Sequence, residues 1–113
     1  MKKYCMSFKI KQKFVKDYVN IHKNAWPEQV NAIRESGAEK CVMYMYDNIS
    51  ILYCECADVD KWLENLSNNE TYKKWLKVVG PWMEKNKTTD NPINFLEKIF
   101  DLEQQLEGAI KPY

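Results

Sequence analysis

Two short runs rich in Val, Ile, Met and Tyr, residues 41–46 and 49–56, are separated only by Asp47-Asn48. β-Branched and aromatic residues fit a pleated strand, and a tight Asp-Asn turn between two such runs closes an antiparallel hairpin. What flanks the hairpin then decides the fold. Upstream, Tyr4, Met6, Phe8 and Ile10 alternate with Cys5, Ser7 and Lys9, the period of a strand. From Gln12 the period lengthens. Phe14, Tyr18, Ile21, His22 and Ala25 fall at helical spacings and predict an amphipathic helix of about three turns. Pro27 disfavours helical geometry at Trp26 and suits the first position of a second helix, which runs through Val30 and Ile33 to Gly37 as its cap.

Downstream of the hairpin, Asp58 is placed to cap a helix carrying Val59, Trp62, Leu63 and Leu66. Ser67-Asn68-Asn69 ends it and opens another, with Tyr72, Trp75, Leu76 and Val79 at helical spacings, which Gly80-Pro81 terminates. Residues 85–94 are polar and read as a loop. Leu96, Lys98, Phe100 and Leu102 then alternate with Glu97, Ile99 and Asp101, predicting a last strand. The order βαββαβ implies an α+β fold, a four-stranded antiparallel sheet with helices on one face. No internal repeat or linker divides the chain. A single domain is expected over residues 1–103, with residues 104–113 as a polar C-terminal extension. The second face of the sheet is left uncovered, which predicts a homodimer.

Composition narrows the function classes. Hydrophobic residues make up 45% and charged residues 29% of the 113, so a packed core is expected rather than disorder. The formal net charge is +1, with both signs interspersed, which argues against a nucleic-acid or membrane partner. No run approaches the roughly 18 apolar residues of a membrane span. Met1-Lys2-Lys3 is basic, but Ser7, Lys9 and Lys11 break up any secretory apolar core, so a cytoplasmic location is expected. Cys5, Cys41, Cys54 and Cys56 lack zinc-site spacing and are expected to be reduced packing residues.

His22 is the only histidine, and imidazole alone titrates unperturbed near neutrality. Tyr18 lies one turn earlier on the same helix face, so a proton carrier and a hydroxyl-orienting phenol stand together. On spacing alone, an inert histidine near a helix end is the commoner outcome for such a pair. Four tryptophans and seven tyrosines offer faces for the apolar side of a sugar ring, although Trp62 fits a core position. Trp75 sits in Lys73-Lys74-Trp75-Leu76, which suits a sugar or anion contact, or a core aromatic beside extended lysines. With three glycines there is no phosphate-cradling loop, no serine elbow is present, and one histidine cannot serve a histidine-rich metal centre.

Tyr18, three residues, His22, three residues and then Trp26-Pro27-Glu28 resembles the pattern of the L-rhamnose mutarotase family. The resemblance continues through Gly37-Ala38, Tyr44, Trp62, Tyr72 to Trp75, Asp90-Asn91-Pro92 and residues 96–102, and covers about residues 3–102. It implies a dimeric ferredoxin-like α+β barrel that interconverts the α and β anomers of L-rhamnose or a related deoxy-sugar, without metal or cofactor. It further implies that His22 is the general acid/base, that Tyr18 contacts the substrate, and that Trp75 is the second of two adjacent pocket tryptophans. Two positions depart from the pattern: Lys74 replaces the first of those tryptophans, and Cys41 replaces a hairpin tyrosine. Two other readings share the fold. One is a haem-binding or oxygenase-type α+β barrel with His22 as ligand; the other is a non-catalytic sugar-binding module.

Overall fold

The computed structural model describes residues 1–85 and 92–108. Strand β1 (Lys2–Ile10) runs through a 3-10 turn at Gln12–Phe14 into α1 (Val15–Lys23) and then α2 (Pro27–Glu35). The hairpin β2 (Ala38–Tyr46) and β3 (Ile49–Cys56) follows, then α3 (Val59–Ser67) and α4 (Glu70–Val79). A second 3-10 turn at Gly80–Trp82 leads to β4 (Met83–Glu84). Two-residue β5 (Asn94–Phe95) and helix α5 (Leu102–Leu106) complete the described chain.

Local chemistry explains most of these boundaries. Tyr46 and Ile49 are directly opposed in the hairpin, and Asp47 makes the turn at φ 53°, a left-handed conformation that Asp tolerates. Asp58 caps α3 by accepting from the Lys61 amide at 3.1 Å, and Asn69 caps α4 by accepting from the Tyr72 amide at 3.1 Å. Pro27 occupies the first turn of α2. Gly37, at φ +131°, turns the chain from α2 into β2, a backbone conformation that favours glycine.

The sheet is antiparallel in the order β2-β3-β1-β4, with β5 also on β1. This is the ferredoxin-like order, its fourth position shared by two short strands. Met6 and Ile10 of β1 and Ser50, Leu52, Cys54 and Cys56 of β3 point under the helices and are buried. The core forms between that face and α2, α3 and α4 around Met6, Leu52, Trp62 and Leu66. Full burial of such a side chain contributes roughly 1.5–3 kcal/mol. Trp62, read as a core residue, is buried and also ties α3 to α2 by donating its Nε1–H to the Ile33 carbonyl at 3.2 Å. Cys54 and Cys56 are buried, Cys5 and Cys41 half-buried, and all four are free thiols.

The structure settles the inward face of α2, which the sequence left open, and corrects the reading of the last strand. On α2, Val30 is 53% exposed, while Gln29 and Ala32 are the buried residues. Once Pro27 starts the helix, residues 29, 32, 33 and 36 share the inward side and residue 30 turns to solvent. The last strand is also much shorter than residues 96–102. Only Asn94–Phe95 pairs with β1, extended by the Leu96 amide donating to the Cys5 carbonyl at 2.9 Å. Beyond that point Ile99, Phe100 and Leu102 are exposed, because no second layer within the described residues covers either side. The opposite sheet face is open too, and Tyr44 and Tyr46 on it are 66% and 77% exposed.

Candidate functional site

The site grows from one turn of α1. Residues four apart on a helix stack on one face, and Tyr18 and His22 do so with ring centroids 4.2 Å apart. The His22 Nδ1–H donates to the Tyr18 carbonyl at 2.7 Å. A carbonyl can only accept, so this bond fixes the neutral tautomer with its proton on Nδ1 and its lone pair on Nε2. Burial pushes the imidazole pKa below 6.5, an effect opposed in part by that same backbone bond. At neutral pH His22 is therefore an uncharged base with a defined accepting atom.

Tyr18 is 3% exposed, and its hydroxyl donates to Ser50 Oγ on β3 at 2.9 Å. Burial raises the phenol pKa to about 12, against a smaller opposing effect of the Ser50 hydrogen bond, so Tyr18 stays protonated. Its oxygen lone pairs remain able to accept. Trp75 of α4 packs edge-on to His22 at 5.2 Å between centroids and edge-on to Trp26 at 5.1 Å. Trp26 is held there because Pro27 keeps it extended, outside both helices.

Tyr18, His22 and Trp75 line a cavity of about 530 Å³ between the sheet and the helices, within the size range of small-molecule sites. Most of its wall is apolar, contributed by residues such as Met6, Phe8, Leu52 and Trp62. Tyr18, His22 and Trp75, the three residues singled out in the sequence, all face it. The two departures from the family pattern separate here. Cys41 lines the cavity as a thiol whose pKa burial raises to about 11, whereas Lys74 is exposed and outside the lining.

Sequence reasoning missed three contributors. Ser50 is the acceptor that orients Tyr18, yet in sequence it is a small polar break between Ile49 and Ile51. Tyr72 lines the cavity three residues before Trp75, and burial pushes its phenol pKa up. Gln29 is a buried carboxamide in the wall whose Oε1 has no hydrogen-bond partner. Such an unmet buried group costs about 1–3 kcal/mol. Among the described residues no His, Cys, Asp and Glu side chains cluster in a metal-binding group.

The arrangement combines a poised neutral base, a protonated phenol and an indole in an apolar cavity, which suits proton transfer on a small polyhydroxylated ligand. Comparison with known proteins gives the fold and the family. A solved L-rhamnose mutarotase from Formosa agariphila superposes with a TM-score of 0.72, at 19% identity, over 90% of this chain and 99% of that one. An antibiotic biosynthesis monooxygenase from Nitrosomonas europaea shares the fold at TM-score 0.59 and 13% identity, over 83% of this chain and 84% of that chain. At these identities the likeness is one of fold alone. The L-rhamnose mutarotase of Lachnoclostridium phytofermentans is 29% identical over 91 residues, 78% of this chain and 86% of that protein. The family model for L-rhamnose mutarotase matches residues 3–102, and the chain belongs to that family.

Proposed function

We propose that the protein is a sugar mutarotase that interconverts the α and β anomers of L-rhamnose or a related deoxy-sugar. The observation that carries this reading is the His22 Nδ1 bond to the Tyr18 carbonyl, which leaves Nε2 as the accepting atom in a cavity with room for a monosaccharide. Nε2 takes the proton from the anomeric hydroxyl. As the C1–O1 bond gains double-bond character, the bond from C1 to the ring oxygen breaks, and the His22 imidazolium delivers the proton from Nε2 to that oxygen. Rotation about the C1–C2 bond and reclosure on the other carbonyl face give the second anomer, and the proton balance returns to its start. Tyr18 accepts from a sugar hydroxyl through the lone pairs its Ser50 bond leaves available, and Trp75 supplies an apolar wall for the C–H face. The residues described require no cofactor for these steps.

The protein acts as a homodimer that buries the open sheet face carrying Val42, Tyr44 and Tyr46, and works in the cytoplasm. No helix among the described residues is long and apolar enough to cross a membrane, which is compatible with that location.

Saturation-transfer NMR of the anomeric protons tests the catalytic reading directly. The wild-type protein should accelerate anomer exchange of one or more deoxy-sugars. His22→Ala, with an unchanged circular dichroism spectrum, should lose roughly 100-fold or more of that acceleration. Exchange at the wild-type rate in a folded His22→Ala protein would remove His22 from the chemistry.

A further inference from the structure

Helix α2 is inside out at one position. Val30, an apolar side chain, faces solvent, while its neighbour Gln29 is 2% exposed and lies in the wall of the cavity. Hydrophobicity alone favours the reverse placement, and such breaks in binary patterning concentrate at functional positions. The break is compounded because Gln29 Oε1 has no hydrogen-bond partner. Its polar neighbours in the wall differ in this respect. Tyr18 gives its proton to Ser50, and His22 gives its Nδ1–H to a backbone carbonyl. The Tyr18 oxygen and His22 Nε2 also keep lone pairs, but of these three side chains only Gln29 holds a fully buried polar atom with no partner.

We infer that the Gln29 carboxamide is a contact for a sugar hydroxyl in this cavity and selects for a hydroxylated carbon over a deoxygenated one at that wall. The inference rests on the reading of the cavity as a sugar site. The last torsion of a glutamine side chain is soft, so Oε1 turns toward an incoming hydroxyl without any movement of α2. A carboxamide both accepts and donates, which suits it to the neighbouring hydroxyls of a pyranose. A ligand hydroxyl that donates to Oε1 satisfies that acceptor, whereas an analogue lacking this one hydroxyl leaves it unpaired.

The test uses the full chain with L-rhamnose and a panel of its mono-deoxy analogues, and reads binding and anomer exchange together. Gln29→Met keeps the length of the side chain and removes its hydrogen bonding. In the wild type, removal of one particular sugar hydroxyl should weaken binding roughly tenfold or more. In Gln29→Met that same removal should matter less than about threefold, and the melting temperature should stay level or rise as the unmet acceptor is lost. A uniform weakening toward every sugar, or unaltered discrimination in the variant, overturns the inference. If Gln29→Met fails to fold, the wild-type side-chain NH2 resonances of Gln29 decide: a shift on titration with L-rhamnose supports the contact, and unshifted resonances at saturation overturn it. Wild-type exchange activity combined with indifference at Gln29 defeats this inference alone. Sugar binding without accelerated exchange defeats the mutarotase reading alone, and a wild type that binds no sugar of the panel defeats both.

Discussion

At the scale of single residues, His22 carries the sharpest expectation. Burial holds its pKa below 6.5, so the neutral base persists to lower pH than a free imidazole would. The acid limb of kcat/KM should therefore inflect below pH 6.5, and NMR titration of the imidazole should follow it; an inflection above 6.5 contradicts the burial argument. Stability follows the same sign. The unfolded chain takes up this proton near pH 6.5 and the folded chain takes it up only lower down. The contribution is thus fully present above 6.5 and is lost as pH falls through the folded value. Ser50 offers a second residue-scale test. Ser50→Ala leaves the buried Tyr18 hydroxyl without its acceptor and should lower stability by about 1 kcal/mol in urea denaturation. The pairing of Tyr18 with His22 was legible from spacing because it is local. Ser50 was not, because it reaches Tyr18 across 32 residues of sequence and only the folded sheet brings them together.

At the scale of elements, legibility tracks how far the deciding interaction lies along the chain. The hairpin turn and the caps at Asp58 and Asn69 are settled within a few residues; the sequence reading found the turn and the Asp58 cap, and placed a helix boundary at Ser67-Asn68-Asn69 without singling out Asn69. Asp58→Ala and Asn69→Ala should each lower stability by about 1 kcal/mol in thermal or urea unfolding, because each leaves one first-turn amide without its side-chain acceptor. The face of α2 stayed open for a different reason. The helix carries apolar Val30 and Ile33, yet a polar residue, Gln29, takes the inward position at the cavity while Val30 faces solvent. Patterning rules assume that burial follows hydrophobicity, and they fail where a site wants a polar group inside.

At the scale of the whole molecule, two unexplained exposures point to one answer. The sheet face opposite the helices carries Tyr44 and Tyr46 in the open, with Ile51 opposite Tyr44 on β3. Residues 97–101 alternate as a strand should, yet no strand among the described residues pairs with them, and Ile99 is 79% exposed. The alternation predicted a strand over residues 96–102, whereas only Asn94–Phe95 pairs with β1. A second copy seated on the open face would cover both features, and a stable interface of that kind buries about 800 Å² per partner. The double substitution Tyr44→Glu with Ile51→Glu sets two like charges opposite each other on that face and should convert the dimer to monomers in sedimentation velocity. Hydrogen exchange separates the two contributions. If residues 97–101 pair across the interface, their amides should be protected in the wild type and exchange freely in the double variant. A wild type that sediments as a single chain of 13.5 kDa at micromolar concentration overturns the dimer. A dimer in which those amides are already unprotected confines the interface to the sheet face.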